Sequence, residues 1–570
     1  MEHTLGHTAG DGTHLNNESI AEPNASPPAK PRWGVFANTA FTVILVASAV
    51  STVGDAMFDT GSSWLMTSLN PDPLMVSAVQ IAITLPMFLL TLPAGAISDI
   101  VDLRKLLIVV QVFVAIVAFG FAAAIWLNWH TPALLLTVTF LLGVGGALAA
   151  PAWQLIAPMI VPRRELANAI AVNSASYNLS RAIGPAIGGL SIGAFGIDFP
   201  FWINALSFLA IVAALVWWRP PPREVDTLPA ERLMNAVRTG LRYAANNRDL
   251  DSTLIRAIVF FPFACSYSAL LPLIARTQMH SGPEVFGALM GVIGLGSIAA
   301  SFGLRKLTER LGPDSIAAAG TIGMVVALVL FAAAREPFVA VAASFIAGAS
   351  SIIVMITLFM SAQVALPDWV RGRGLAVFLT VYFGAVTLGS AVWGKLASLE
   401  GIPAALYVSA GGALLGMVVT WRWKLQTGAA HDLAPSLHWR KPSFVYRAEN
   451  DQGPVLVTVE YLIDTKDREP FLALMQEIGS QRKRDGVYAW NVFEDPTTAG
   501  RIVETCLLQS MLEYEYARKR VTNADRLIEE QAHRFQKEPQ KVSFLVAAKR
   551  IRRPWRKLHS PRGAEITESE

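Results

Sequence analysis

Asp55 and Asp59 stand inside one apolar run, at about 38–66, and Arg181 stands inside another, at about 165–192. A charge in hydrocarbon is costly, so an ionisable side chain kept there is a functional candidate. Asp55 is about 17 residues into its run and Arg181 about 16 into its own; at about 1.5 Å per residue both reach roughly 25 Å from the same end. Matched depth allows an ion pair that faces the bundle interior. An acid so placed can load and release a proton, with the arginine tuning it. The same pair would also serve as a static lock between helices. Asp59 follows Asp55 by four residues on the same helical face and is a second proton-coupling candidate.

The elements that must hold these charges are membrane helices. Of 570 residues, 53% are hydrophobic and 16% charged, with a mean hydropathy of +0.42. A soluble fold cannot cover that much apolar surface, whereas a bilayer can. Twelve runs between about 38 and 423 approach the ~20 residues that a spanning helix needs. Basic residues alternate between loops: Arg104 and Lys105, Arg163 and Arg164, Arg305 and Lys306, Arg371 and Arg373 fall on one side, while the loops around Asp72, His130 and Asp198 carry no Lys or Arg. Basic loops stay in the cytoplasm, which predicts cytoplasmic termini and an even span count. The longest loop divides the spans six and six. In it Leu233, Val237 and Leu241 recur every four residues, as in a short amphipathic helix.

An internal repeat supports the division. Pro162, Gly184 and Gly189 align with Pro367, Gly389 and Gly394 at an offset of 205. Such repeats build transporters whose two halves rock about a central site. The expected fold is an all-α membrane protein of twelve transmembrane helices in two six-helix bundles, at 35–218 and 254–425. A polar tail occupies 1–34, and linkers occupy 219–253 and 426–452. Because the basic residues are spread between apolar runs, the net charge of +4 gives no nucleic-acid surface. Cys265 and Cys506 lie in different regions, so a disulfide is not expected.

Two motifs refine this picture. Gly95-Ala-Ile-Ser-Asp99 with Arg104 and Lys105 lies between the second and third spans, where a close helix approach and a charge network across helices are expected. This loop resembles the signature of the major facilitator superfamily: Gly95, Asp99 and Arg104 match, while Ile100 and Asp102 depart from it. The resemblance implies a cytoplasmic gate. The second motif is Gly184-Pro185-Ala-Ile-Gly188-Gly189, which on its own predicts helix packing and resembles the antiporter motif of exporters in that superfamily. Ser51 to Asp55 and 162–189 look closest to the enterobactin-exporter branch, also called the transmembrane secretion effector family. That resemblance covers most of 35–425. It implies a proton-coupled exporter in a bacterial inner membrane, moving small drug-like or siderophore-like amphiphiles by alternating access. Trp153, Tyr177, Asn178, Tyr267 and Tyr382 are candidates for lining a substrate cavity, although most aromatics in such chains serve packing.

From residue 453 the periodicity changes. Strands are predicted at 455–463, 487–493, 501–509 and 542–547, with helices at 468–482 and 511–535. The order β-α-β-β-α-β predicts a ferredoxin-like α+β domain at 453–550, followed by a basic, polar tail at 551–570. Tyr488-Ala-Trp490-Asn491, Glu494-Asp495 and Glu504-Thr505 resemble antibiotic-biosynthesis-monooxygenase-like domains, which are dimeric α+β barrels. Trp490 is expected in the core and His533 on a charged helix face, with no cofactor or metal motif. A regulatory or self-associating module is therefore expected, the alternative being a tethered enzyme or sensor that carries the chain's activity. A proton-coupled importer of the same fold is the other alternative.

Overall fold

The computed structural model describes residues 34–219, 240–367, 369–426, 432, 434–439 and 453–547. The polar tail, Leu233 and Val237 of the amphipathic segment, most of the second linker and the C-terminal tail lie outside them. So does the side chain of Asp99.

The first bundle comprises α1 (Thr39–Leu69), α2 (Pro73–Ile100), α3 (Leu103–Trp126), α4 (Pro132–Ile160), α5 (Leu166–Phe195) and α6 (Phe199–Trp217). Their starts follow capping chemistry. Asn38, Asp72, Asp102 and Thr131 each accept a hydrogen bond from a first-turn amide of the helix they precede. In the second bundle, α7 (Arg248–Ala264), α8 (Ser266–Leu273) and a π-turn, Ile274–Gln278, make one span. It is followed by α9 (Pro283–Arg310), α10 (Pro313–Ala333), α11 (Pro337–Val364), α12 (Arg371–Glu400) and α13 (Ile402–Thr420). Among the described residues, eleven helical spans are long and apolar enough to cross a membrane. Helix α5 falls short on composition, since it carries Asn173, Asn178 and Arg181. It is nevertheless 30 residues long and packs between α1 and α9, which makes it the twelfth.

The sequence repeat is expressed as packing. On α5, Gly184 lies against Val53 and Ala56 of α1, and Gly189 against Pro283 and Gly287 of α9. On α12, Gly389 lies against Pro262 and Cys265 of the seventh span, and Gly394 against Leu74 and Ser77 of α2. Each glycine-bearing helix thus touches one partner in its own bundle and one in the other. A missing Cβ permits both approaches.

The C-terminal domain has the expected order. Strands β1 (Val455–Leu462), β2 (Ala489–Glu494), β3 (Arg501–Leu508) and β4 (Lys541–Val546) form an antiparallel sheet ordered β2-β3-β1-β4, with Val457 opposite Cys506 and Phe544. Helix α14 (Arg468–Asp485) covers one face. The single long helix expected over 511–535 is two helices, α15 (Met511–Arg520) and α16 (Asn523–His533). The cause is local: the Thr522 side chain accepts from the Asp525 amide while the Asp525 carboxylate accepts from the Thr522 amide, a capping box that starts a new helix.

A buried polar network knits this domain. Glu504, fully buried, accepts from Tyr461 Oη at 2.8 Å, Arg482 Nε at 3.0 Å and Trp490 Nε1 at 2.9 Å. Arg482 also pairs with Glu529 at 2.5 Å, and His438 and Trp439 bond to the same carboxylate. Burial opposes the Glu529 charge, but Arg482 and the His438 bond outweigh it and hold the carboxyl well below its usual range. A depressed carboxyl contributes stability that is complete above its ordinary value of 4.5 and is lost as pH falls from there toward the folded value. Limited proteolysis of the full chain should show acid-induced opening of this domain below about pH 4, and Glu529→Gln should blunt that pH dependence.

The domain seats on the second bundle. Tyr243 and Trp369 meet edge to face at 5.4 Å. Arg484 of α14 lies 5.5 Å from the Tyr243 ring, and Arg520 of α15 lies 4.8 Å from the Trp369 ring. Arg242 pairs with Glu513 at 3.4 Å.

Candidate transport site

The arrangement around Arg181 brings both bundles together. Gly184 and Gly188 turn toward α1 and Gly189 toward α9, and Arg181, nearly one turn earlier, falls between those two faces. Its Nη1 donates to Tyr177 Oη at 3.4 Å, and its guanidinium lies 5.8 Å from that ring. It is within electrostatic reach of Asp59 on α1, Tyr267 on α8 and Tyr382 on α12. The charge therefore sits at the seam between the bundles, with an acid from one and phenols from the other.

The ion pair expected between Asp55 and Arg181 is not formed. Asp55 Oδ1 accepts from Asn204 Nδ2 of α6 at 2.9 Å, and the acid that Arg181 senses is Asp59. Depth alone could not settle this, because helix rotation decides which neighbour a side chain meets. Asn204, the amide buried in α6, was missed; a lone amide in the apolar run 199–217 is the signal that marks it.

The other expected residues divide. Tyr177 and Asn178 are exposed on α5, and Tyr382 packs edge to face on Phe261 at 4.6 Å. Tyr267 is buried inside the second bundle, stacked on Phe331 and bonded to Ser351. Trp153 is partly buried against the core of the first bundle. In the loop motif, Arg104 donates to the carbonyls of Leu215 and Val216 at 2.9 and 2.7 Å, capping the end of α6, and Asp102 caps the start of α3. Lys105 is exposed, and a Cβ at Gly95 would meet nothing. In the second half, Arg256 pairs with Asp314 at 2.7 Å and donates to the Trp423 carbonyl at 2.8 Å, a comparable tie to the end of the last span.

The bundles are sealed at the end away from the basic loops. Arg276 Nη1 donates to Thr67 Oγ1 at 2.8 Å and Ser68 Oγ at 2.6 Å, and lies over Trp64, which stacks on Phe286. Gly189 and Gly287 interlock beside this seal, and Thr84 bonds to Thr387 at 2.7 Å nearer mid-span. At the basic-loop end, by contrast, Asn173, Ser174, Ala175 and Tyr177 on the first half of α5 are exposed.

Two repeated six-helix bundles, closed at one end around a charged seam, define a membrane transporter. The match to the family model of transmembrane secretion effectors spans residues 30–553, and the chain belongs to that family. It is 26% identical to the MFS-type transporter YfiS of Bacillus subtilis, over 66% of this chain and 90% of that protein. It is 24% identical to the multidrug efflux pump Tap of Mycolicibacterium fortuitum, over 67% of this chain and 96% of the pump. It is 23% identical to the staphyloferrin A transporter of Staphylococcus aureus, over 46% of this chain and 65% of that transporter. Among solved structures, a POT family transporter (TM-score 0.56, 12% identity, 67% of this chain and 95% of that one) and the nucleoside transporter NupG (TM-score 0.54, 13% identity, 67% and 99%) share the fold.

Proposed function

We propose that this chain is a proton-coupled exporter of small amphiphilic, drug-like or siderophore-like molecules, working by alternating access in a bacterial inner membrane with both termini cytoplasmic. The observation that carries the reading is Asp59 on α1 within electrostatic reach of Arg181 at the seam, with Asp55 four residues earlier on the same helix held by Asn204. Relatives named for multidrug efflux and for staphyloferrin transport support the cargo class. The basic loops support a cytoplasmic open end.

In the cytoplasm-open state, Asp55 and Asp59 give up a proton and cargo enters between the bundles. Closure of that end and opening of the far end let an external proton rejoin the acids as cargo leaves. Asn204 suits Asp55 in either state: its Nδ2 donates to the carboxylate, and its Oδ1, buried without a partner among the described residues, is an acceptor for the protonated acid. The seal around Arg276 is the external gate.

Everted vesicles containing the full chain should accumulate ethidium when the lumen is acid and release it when an uncoupler is added. Accumulation that ignores the pH gradient would remove the proton, and movement of dye only out of such vesicles would reverse the direction.

A further inference from the structure

The C-terminal domain carries a half-open cavity of about 330 Å³ between its sheet and its helices. This volume lies within the range of ligand pockets.

The walls specify the occupant. Val457, Val459 and Tyr461 of β1 form one side, with Trp439 and Tyr514 opposite, their rings stacked 6.0 Å apart at 25°. The charges at the floor answer one another. Arg482 lies between Glu504 and Glu529 and over the Trp439 ring at 4.5 Å, and His438 bonds to Glu529. Glu529 at the wall and Glu504 buried behind Arg482 offset the guanidinium charge, which disfavours an anion. His533, expected on an outer charged face, is half-buried and reaches the cavity. Burial pushes the Cys506 thiol well above its usual value, so it is a wall and not a nucleophile.

We propose that this cavity binds a small, flat aromatic molecule, neutral or weakly basic, and that its occupancy is sensed by the membrane core. The same helices carry wall and clamp. On α14, Arg482 lines the cavity and Arg484 meets Tyr243; on α15, Tyr514 lines it while Glu513 and Arg520 meet Arg242 and Trp369. A ligand that shifts α14 or α15 moves the contacts holding the domain on the second bundle. The site stands independently of what the bundles transport.

The test is photolabelling of the full-length protein in lipid nanodiscs with 9-azidoacridine, mapped by peptide mass spectrometry. Label is expected on peptides bearing Trp439 or Tyr514 and should be competed by acridine. Filling the cavity from its sheet wall, by Val459→Trp or by its cross-strand neighbour Val542→Trp, should cut that label by about tenfold or more, while label within the membrane helices persists. Hydrogen exchange across β1 and β3 identifies whichever variant keeps the domain folded. Acridine should alter exchange at 240–247 in the wild type and not in the filled variant. Label confined to the membrane helices, or undiminished in a folded filled variant, would overturn the site. An occupied cavity with unchanged exchange at 240–247 would overturn its sensing role.

Discussion

Asp55→Asn in the full-length chain should yield a folded, membrane-inserted protein whose pH-driven dye efflux falls to the level of vesicles lacking it. The substitution keeps the shape and an oxygen to accept from Asn204 Nδ2, so the α1–α6 contact survives. What it removes is the exchangeable proton. A transporter without it can still exchange cargo down a concentration gradient, so counterflow without a pH gradient should persist. That split distinguishes coupling from scaffolding: loss of both activities with normal protein levels would make Asp55 a cargo contact, and full coupling in the variant would move the proton to Asp59. Asp59→Asn is the matching experiment. Because Asp59 is the acid within electrostatic reach of Arg181, its loss leaves the guanidinium without that opposing charge, and a defect that includes cargo binding is expected there.

Much of this architecture was legible in the sequence because the bilayer constrains it so strongly. Span length, basic-loop alternation and the 205-residue repeat each predict six plus six helices, and the repeat reappears as Gly184 with Gly389 and Gly189 with Gly394. The one span that composition undervalues, α5, is the one that carries Arg181, since function there opposes hydrophobicity. What sequence could not supply was rotation and reach. Whether Arg104 meets an acid or the end of α6 depends on where α6 stops, and Asp55 finds Asn204 only because α1 and α6 pack through Gly54 and Gly61. In the C-terminal domain, the strand alternation of β3 puts Glu504 among Ile502, Cys506 and Leu508 on the buried face. An acid at an inward position is a legible sign of a buried partner, but naming Arg482 required the fold.

Gly189→Val tests whether the small-residue motif of α5 is a gate or only packing. A Cβ at Gly189 would come within 2.5 Å of the Pro283 carbonyl oxygen and 2.7 Å of Gly287 Cα, both backbone atoms that cannot rotate away. Forcing α5 from α9 costs about 1–3 kcal/mol, but only in the conformer where this end is sealed. The conformer open at that end escapes the cost, so the equilibrium should move toward it by roughly ten- to a hundredfold. In a Ser63→Cys background, its reporter half-buried on α1 one turn before Thr67 of the seal, an impermeant maleimide added from the sealed side should then label faster. Gly184 and Gly188 face α1 within their own bundle, so valine there should lower folded yield without changing which side is open. Gly303→Val is the control, since a Cβ at that glycine meets nothing within 4 Å. Unchanged labelling in a well-expressed Gly189→Val protein would mean that the interlock moves as one piece through the cycle, and the gate would then rest on Arg276 and its hydroxyl partners instead.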